Sequence, residues 1–397
     1  MDEQKIGWKG FLQKSISYIL VAGLASFATL YMFSRNSLGD RYNKLEELET
    51  VIDQMYIGQT DKTQLEDAAA AAMVEATGDR WSYYIPASSL EKVKTQKANA
   101  YVGIGVTIHI LENDQGFEVQ MLEPDSPAKE GGIQPGDVIV AVEGQRIAEL
   151  GAETAQGMIA GEEGTQVTVT IARNGQESDV TMTRRKIVQA VASGNMIGDN
   201  IGYIQIANFN DRCAQETIKL FDELEAQGAK AMIFDVRFNG GGYKDEMVEI
   251  LDYLLPEGVL FRSEDYAGRT SEDRSDADCK QMPMCVLING ESYSAAEFFA
   301  AALKEYDYAI TVGQPTTGKG YFQNMLELSD GSAVNLSVGK YYTPRGVSLA
   351  EVGGLIPDVT VEVDEETMVQ LYSHSLPQDE DAQLQTAVQS MLDAIRE

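Results

Sequence analysis

Short apolar runs alternate with helical segments between residues 196 and 342, and this alternation limits the folds open to the chain most strongly. The runs are too short for buried helices and are rich in residues that favour strands. They lie at residues 201–206, 231–236, 284–288, 309–312 and 333–342. Helical patterns separate them, one capped by Asp211 and running toward Gly228, another over residues 244–255. Strands alternating with helices predict an α/β core.

Ser294 follows the apolar run at residues 284–288. Asn289 and Gly290 are turn residues, and strong helix formers begin directly after Ser294. This order of strand, turn and helix predicts that Ser294 lies on a tight bend at a helix N-terminus. Unpaired backbone amides there face any negative charge that develops nearby. The competing interpretation is that Ser292 or Ser294 only caps the helix.

A lysine is the candidate activator of this serine. The chain has two histidines, His109 and His374, and neither lies near a serine in a nucleophile-like context, which makes a Ser-His-Asp triad hard to build. Lys319 lies between two glycines, after a turn at residues 315–317 and before an apolar segment. Glycines let neighbouring backbone pack against the lysine, and burial lowers its pKa from the usual value of about 10.4. A neutral lysine can activate a serine.

Two motifs carry a resemblance to a known family. The sequences SYSAAE at residues 292–297 and GKGYFQ at residues 318–323 resemble the active-site motifs S-A-S-A-S-E and G-K-G-x-x-Q of the carboxyl-terminal processing (tail-specific) peptidases. The resemblance implies that Ser294 is the nucleophile, Lys319 the general base and Gln323 the residue that orients the lysine. Tyr293 and Ala296 depart from the family pattern. Because neither position is the nucleophile, we expect these departures to affect substrate fit more than activity.

A third motif occupies residues 231–246, where a buried run is followed by three glycines. It resembles the family's D-L-R-x-N-x-G-G, which supplies an amide of the oxyanion hole. Glycines let backbone N–H groups approach a substrate carbonyl without a Cβ in the way. The resemblance implies that Gly241 and Ala295 are the donors, although which of the glycines 240–242 takes part stays open. The spacing matches no phosphate-binding glycine loop.

A different module precedes this core. Alternating strand patterns at residues 101–110, 116–147 and 165–187, with a helical segment at residues 153–159, resemble a PDZ domain. Backbone amides of such a domain hold the terminal carboxylate of a peptide that adds as a strand. The residues that correspond to this loop are Val102, Gly103, Ile104, Gly105 and Val106. The competing interpretation is a small β-barrel of structural use.

The first 35 residues predict a membrane anchor. Residues 15–34 carry no charge, and their length spans a bilayer as a helix. A cleaved signal peptide is the alternative, but the apolar stretch is long for one. With a short N-terminal tail and the family precedent, we expect a single-pass protein of the cell membrane whose catalytic domain is extracytoplasmic.

Composition excludes some functions. The net charge of −31 and the pI near 4.4 argue against nucleic-acid binding, because phosphates would be repelled. The three cysteines are odd in number and lack metal-ligand spacing, so we expect neither a metal nor another cofactor. A disulfide between Cys279 and Cys285 stays open for an external domain.

The predicted fold class is α/β with a second, β-rich module. The resemblance implies a ClpP/crotonase-like core of ββα units with an inserted PDZ domain, an N-terminal helical region and one transmembrane helix. Within the helical region, GDRWSYY at residues 78–84 resembles the family's G-D-P-Y-S-x-Y, and residues 262–280 predict a hairpin or a mobile loop. The predicted divisions are residues 1–35 (tail and anchor), 36–97 (helical region), 98–187 (PDZ domain), 188–365 (peptidase core) and 366–397 (C-terminal helical tail).

The predicted function is a serine endopeptidase that cleaves proteins after recognising their C-terminal tails. Its expected partners are proteins or peptides with accessible C-termini and the membrane, and a homodimer through the terminal helices stays open. One alternative is a membrane-tethered PDZ adaptor with an inactive peptidase core. Another is a hydratase or thioesterase on a crotonase-like core.

Overall fold

The computed structural model describes residues 39–111 and 114–396. The predicted membrane span at residues 15–34 therefore lies outside the described residues. Within the described ranges, no helix has the length and apolar character needed to cross a membrane. The described residues fall into two compact units, which divide between Ala72 and Met73. Helix α1 (Gly39–Met55) belongs to the first unit, and α2 (Lys62–Glu75) runs from the first into the second.

A β-rich module follows α3 (Ala87–Lys97). Its main sheet has the order β3-β4-β5-β7-β8, with β6 paired to β5, and a separate ribbon joins β2 to β9. Because β3 is the first strand in this order, one of its edges is open. The module comprises β2 (Ala100–Gly103), β3 (Val106–Ile110), β4 (Phe117–Leu122), α4 (Pro127–Glu130), β5 (Val138–Val142), β6 (Gln145–Arg146), α5 (Ile147–Leu150), α6 (Ala152–Ile159), β7 (Gln166–Arg173), β8 (Gln176–Thr183) and β9 (Arg185–Val188).

The larger core is built on a six-stranded sheet with the order β10-β11-β12-β15-β16-β19. The first pair is antiparallel and the following pairs are parallel. Its members are β10 (Ala192–Ile197), β11 (Ile201–Ile206), β12 (Ala231–Asp235), β15 (Met284–Ile288), β16 (Ala309–Gly313) and β19 (Val359–Thr360). Every residue of β12 and β15 is buried, which explains why these strands read as continuous apolar runs.

Helices cover both faces of this sheet. On one face lie α7 (Cys213–Ala226), α8 (Lys244–Leu254) and α9 (Ala295–Glu305), whose apolar side chains pack with Phe234 and Val286. On the other lies α12 (Ala382–Arg396), which places Leu384, Ala387 and Met391 against Ile233 and Leu287. The C-terminal helix is therefore part of the core.

A second, five-stranded sheet lies beside the core and carries one wall of the cleft described below. Its order is β1-β18-β13-β14, with β17 paired to β18. The elements are β1 (Tyr83–Ile85), β13 (Gly258–Asp265), β14 (Thr270–Ser275), β17 (Tyr321–Glu327) and β18 (Ala333–Tyr342). β13 pairs with β14, so the segment predicted at residues 262–280 to be a hairpin or a mobile loop contains a hairpin. Two further helices, α10 (Leu349–Val352) and α11 (Glu365–Tyr372), follow β18.

The start of α7 differs from the sequence prediction. Arg212, with φ of +73°, precedes the helix, and Asp211 makes no capping contact. The Glu246 carboxylate of α8 instead accepts hydrogen bonds from the backbone N–H groups of Arg212 (3.2 Å) and Ala214 (2.7 Å). A distant carboxylate therefore satisfies the donors that the sequence assigned to Asp211.

Candidate active site

Ser294 lies between β15 and α9, on the predicted bend. Its φ of +58° and ψ of −128° lie in a region that non-glycine residues rarely adopt, so surrounding contacts must hold the turn. Ser292 supplies one such contact, since its buried hydroxyl donates to the Val236 carbonyl (2.7 Å) and accepts from the Asn289 N–H (3.0 Å). Ser292 therefore stabilises the turn, and Ser294 is the serine that lines the cleft.

The Glu297 carboxylate joins the serine turn to the lysine loop. Glu297 has 0% exposure. Its Oε2 accepts from the N–H groups of Ser294 (2.9 Å) and Lys319 (2.9 Å). Its Oε1 accepts from the Thr316 hydroxyl (2.5 Å) and the Gly318 N–H (2.6 Å). One carboxylate therefore fixes the backbone of both predicted catalytic residues, a role that the sequence analysis missed.

Lys319 is buried, as expected, with 9% exposure. Its Nζ lies 4.5 Å from the centroid of the Trp81 ring and 5.7 Å from that of Tyr293. Burial lowers the pKa of Lys319 to about 8, although the charges of Glu297 and Asp79 act in the opposite direction. A lysine with this pKa is neutral in about a tenth of molecules at pH 7 and in about half near pH 8, and the neutral form is the one that can act as a general base.

Ser294 and Lys319 both line one cleft of about 950 Å³. No hydrogen bond among the described residues joins Ser294 Oγ to Lys319 Nζ, which lies over the Trp81 and Tyr293 rings. Such contacts often tighten only when substrate binds. The arrangement therefore supplies a nucleophile and a base in one cavity without a direct bond in the resting protein.

Gln323 lines the same cleft from β17. Its amide nitrogen donates to Ser337 Oγ (2.9 Å) and to the Tyr321 carbonyl (3.2 Å). The backbone N–H of Ser337 donates to Ser82 Oγ (2.9 Å), and that hydroxyl donates to Asp79 Oδ2 (2.6 Å). The charge of Asp79 acts on Lys319. In this structure Gln323 is thus linked to the lysine through Ser337, Ser82 and Asp79, without a hydrogen bond to the lysine itself.

Gly241 lies against the serine turn, as the resemblance implied. A Cβ built on it would lie 2.7 Å from Ser294 Cβ and 2.8 Å from the Ala295 nitrogen, and its φ is +82°, so no larger residue fits. Its N–H, however, donates to Asn239 Oδ1 (2.8 Å). Ala295 is the first residue of α9, where amides lack intrahelical acceptors. Ala295 is therefore the better presented of the two predicted oxyanion donors.

A buried ion-pair network holds the strand that leads into the glycine loop. Arg237 Nη2 lies 2.6 Å from Asp235 Oδ2 and 2.7 Å from Asp381 Oδ2, and each side chain is at most 5% exposed. Arg237 also donates to Gln383 Oε1 (3.0 Å), and the Tyr203 hydroxyl donates to Asp235 Oδ2 (2.8 Å). The C-terminal segment thus fixes the base of the glycine loop, and nothing in its local sequence indicated this role.

The five residues Val102 to Val106 line a separate groove of about 230 Å³ between β3 and α6. Gln156, Ile159 and Ala160 line its other side. Gly105 has a φ of +75°, and a Cβ there would collide with Ser126, so the loop requires a glycine. The groove lies along the open edge of β3, where a peptide could pair as an added strand.

The sequence left a disulfide between Cys279 and Cys285 open and suggested no metal site. Cys213, Cys279 and Cys285 are free thiols in the structure, and burial raises the pKa of Cys213 and Cys285. Across residues 39–111 and 114–396, no group of three or more histidine, cysteine or acidic side chains is arranged to hold a metal ion.

Comparison with known proteins gives the family. Residues 200–361 match the model of peptidase family S41, and residues 119–173 match a PDZ domain. The carboxy-terminal processing protease CtpA of Bacillus subtilis is 30% identical over 359 residues, which cover 87% of this chain and 76% of that protein. A Staphylococcus saprophyticus protein named "Probable CtpA-like serine protease" is 28% identical over 358 residues, which cover 87% of this chain and 72% of that protein.

A solved structure is similar in fold. It is the crystal structure of a Bacteroides fragilis protein named "Putative S41 protease", which superposes with a TM-score of 0.55 at 18% sequence identity. The superposition covers 85% of this chain and 93% of that chain. The α/β peptidase fold with a PDZ domain follows from these matches and from the sheets described above. The chain belongs to peptidase family S41, the carboxy-terminal processing proteases, and is a serine-type peptidase with a PDZ domain.

Proposed function

We propose that the protein is an endopeptidase of the tail-specific type that cleaves with a Ser294–Lys319 dyad. The observation that carries this proposal is the shared anchoring of both residues by Glu297 in one cleft, with the pKa of Lys319 lowered to about 8. We further propose that the core is of the ClpP/crotonase-like ββα kind.

The reaction follows from these positions. Neutral Lys319 takes the proton of Ser294 Oγ as the oxygen attacks the scissile carbonyl. The N–H of Ala295 and one from the glycine loop stabilise the oxyanion, with Gly241 acting if Asn239 releases its amide. The lysine ammonium then protonates the leaving amine, and water hydrolyses the acyl-enzyme by the same route. While protonated, the ammonium is stabilised by the face of Trp81.

Gln323 acts at a distance in this scheme. Its hydrogen bond orders Ser337, whose backbone N–H holds the Ser82 hydroxyl that bonds to Asp79. Asp79 acts on Lys319 through its charge. We propose that Gln323 thereby positions the lysine, or contacts it after a side-chain rotation when substrate binds.

The PDZ groove is proposed to select the substrates. Amides of Val102 to Val106 would hold a terminal carboxylate while the peptide pairs with the open edge of β3. The groove is lined mainly by aliphatic side chains, which favours tails with apolar ends. The partners are then proteins with accessible C-termini. We also propose that residues 15–34 anchor the protein in the cell membrane with the peptidase on the extracytoplasmic side.

The test uses the purified full-length chain and an unstructured protein substrate. Ser294→Ala and Lys319→Ala should each remove nearly all cleavage, and the double variant should be little worse, since the two residues act as one unit. Lys219→Ala, which changes an exposed lysine of α7, should cleave normally. A Lys319→Ala protein that keeps most of its proteolysis contradicts the dyad. A wild-type chain that binds tails without cleaving them would favour the adaptor alternative.

A further inference from the structure

The cleft carries the opposite charge to the rest of the molecule. The chain has 62 acidic and 31 basic residues. The charged residues that line the cleft are nevertheless four cations and one acid: Arg80, Lys94, Lys97, Lys319 and Asp211. A positive cleft attracts anionic groups, which the acidic remainder of the protein surface repels.

Lys97 is the cation whose environment most needs a ligand. It lies at the end of α3 and is half-buried, with Nζ 5.6 Å from the centroid of the Tyr243 ring. No carboxylate of the described residues, Asp211 included, lies within ion-pair distance of it. Burial lowers the pKa of Lys97, which reflects a desolvation cost that no ion pair offsets. Lys94, by contrast, pairs with Glu91 (3.3 Å) and Glu327 (2.8 Å).

Arg80 also has no acidic side chain within ion-pair distance among the described residues. Its guanidinium carbon lies 4.4 Å from the centroid of the Trp81 ring, the same ring that Lys319 contacts. Lys97 and Arg80 line the same cleft as Ser294 and Lys319, and the charges of both cations lower the pKa of Lys319. Both cations therefore lie in the cavity that a substrate must enter to reach Ser294.

We propose that Lys97, assisted by Arg80, forms a carboxylate-binding subsite beside the scissile bond of the substrate. This inference rests on the proposed peptidase function and adds a preference within the cleft, separate from the tail groove of the PDZ domain. The carboxylate has two sources, the side chain of an Asp or Glu near the cleavage point or the terminus of a short tail beyond it. A charge-assisted hydrogen bond to a half-buried ammonium is strong enough to favour a substrate with such a carboxylate over one with a neutral group in its place.

The test compares matched peptides. One series moves a single Glu or Gln through the four positions on each side of a fixed cleavage site, with the same C-terminal tail throughout. A second series compares free-acid and amidated peptides whose tails end within three residues of that site. The rates are measured for wild type, Lys97→Gln, Lys97→Arg and the matched control Lys94→Gln, whose side chain lines the same cleft but is already paired. Peptide affinities of the Ser294→Ala forms are measured in parallel.

The wild-type enzyme should cleave the acidic peptide about 10-fold faster than its neutral partner at one position, in one of the two series. Lys97→Gln should bring this ratio close to one, while Lys97→Arg and Lys94→Gln should keep it. If Lys97→Gln loses all activity, the rates cannot be compared. The affinities of the Lys97→Gln protein that also carries Ser294→Ala for the acidic and the neutral peptide are then compared instead. Equal cleavage of acidic and neutral peptides by wild type overturns the subsite, whereas no cleavage of any peptide would instead contradict the peptidase function.

Discussion

Replacing Glu297 by glutamine tests the part of the site that joins its two catalytic loops. The carboxylate accepts four hydrogen bonds, two at each oxygen. Glutamine has nearly the same shape but only one acceptor oxygen. If that oxygen faces Ser294 and Lys319, the new NH₂ group faces the Thr316 hydroxyl and the Gly318 N–H. The hydroxyl can rotate to accept, but Gly318 keeps a buried donor without a partner.

The cost can be worked from this arrangement. A buried donor without a partner costs about 1–3 kcal/mol, and the bonds that remain lose the help of a full negative charge. Burial raises the pKa of Glu297, so the ionised carboxylate pays a desolvation cost that glutamine avoids. We therefore expect Glu297→Gln to lower the free energy of unfolding by about 2 kcal/mol. Displacement of the Gly318–Lys319 backbone should lower kcat by up to about 100-fold, with a smaller effect on KM.

The assay combines urea unfolding with steady-state cleavage of one peptide. Glu246→Gln is the matched control, because that carboxylate also accepts two backbone N–H bonds but does not line the cleft. The control should lose stability and keep kcat. If Glu297→Gln retains wild-type kcat, or loses activity only in proportion to the folded fraction, then Glu297 does not position the dyad.

Three further outcomes follow from the structure. Lys97→Gln removes a cation that lowers the pKa of Lys319, so the inflection of kcat/KM should move to higher pH; an unmoved inflection contradicts their proximity. Asp381→Asn leaves Arg237 with one carboxylate fewer in a buried site, so urea unfolding should show a loss of about 2–4 kcal/mol, and an unchanged midpoint would refute the network's role. Amidating a long apolar tail should slow cleavage at low substrate concentration if residues 102–106 bind the carboxylate, whereas equal rates remove that role.

Local patterns were enough to predict the serine and the lysine. Ser294 could be found because a strand, two turn residues and a helix follow one another within about twenty residues. The burial of Lys319 followed from its two flanking glycines, and the alternation of apolar runs gave the α/β class. Each of these predictions depends only on neighbours in sequence.

The missed features depend on contacts between distant segments. Glu297 and Thr316 are separated by 19 positions, and their bond requires that two loops meet. Asp381 reaches Arg237 across 144 positions, so the acidic tail gave no local sign of its use. The direction of the Gln323 side chain likewise depends on how β17 pairs with β18. Tertiary packing decides such features, and no window of sequence contains them.

The most direct test of the account is the pH dependence of kcat/KM, which reports the ionisation of the free enzyme. Only the neutral form of Lys319 can take the serine proton, and burial lowers its pKa to about 8. The rate should therefore rise tenfold per pH unit below this value, pass an inflection near pH 8 and level off above it. A profile that is flat from pH 6 to pH 9, or that has its inflection near the usual histidine value of about 6.5, would contradict the Ser294–Lys319 dyad.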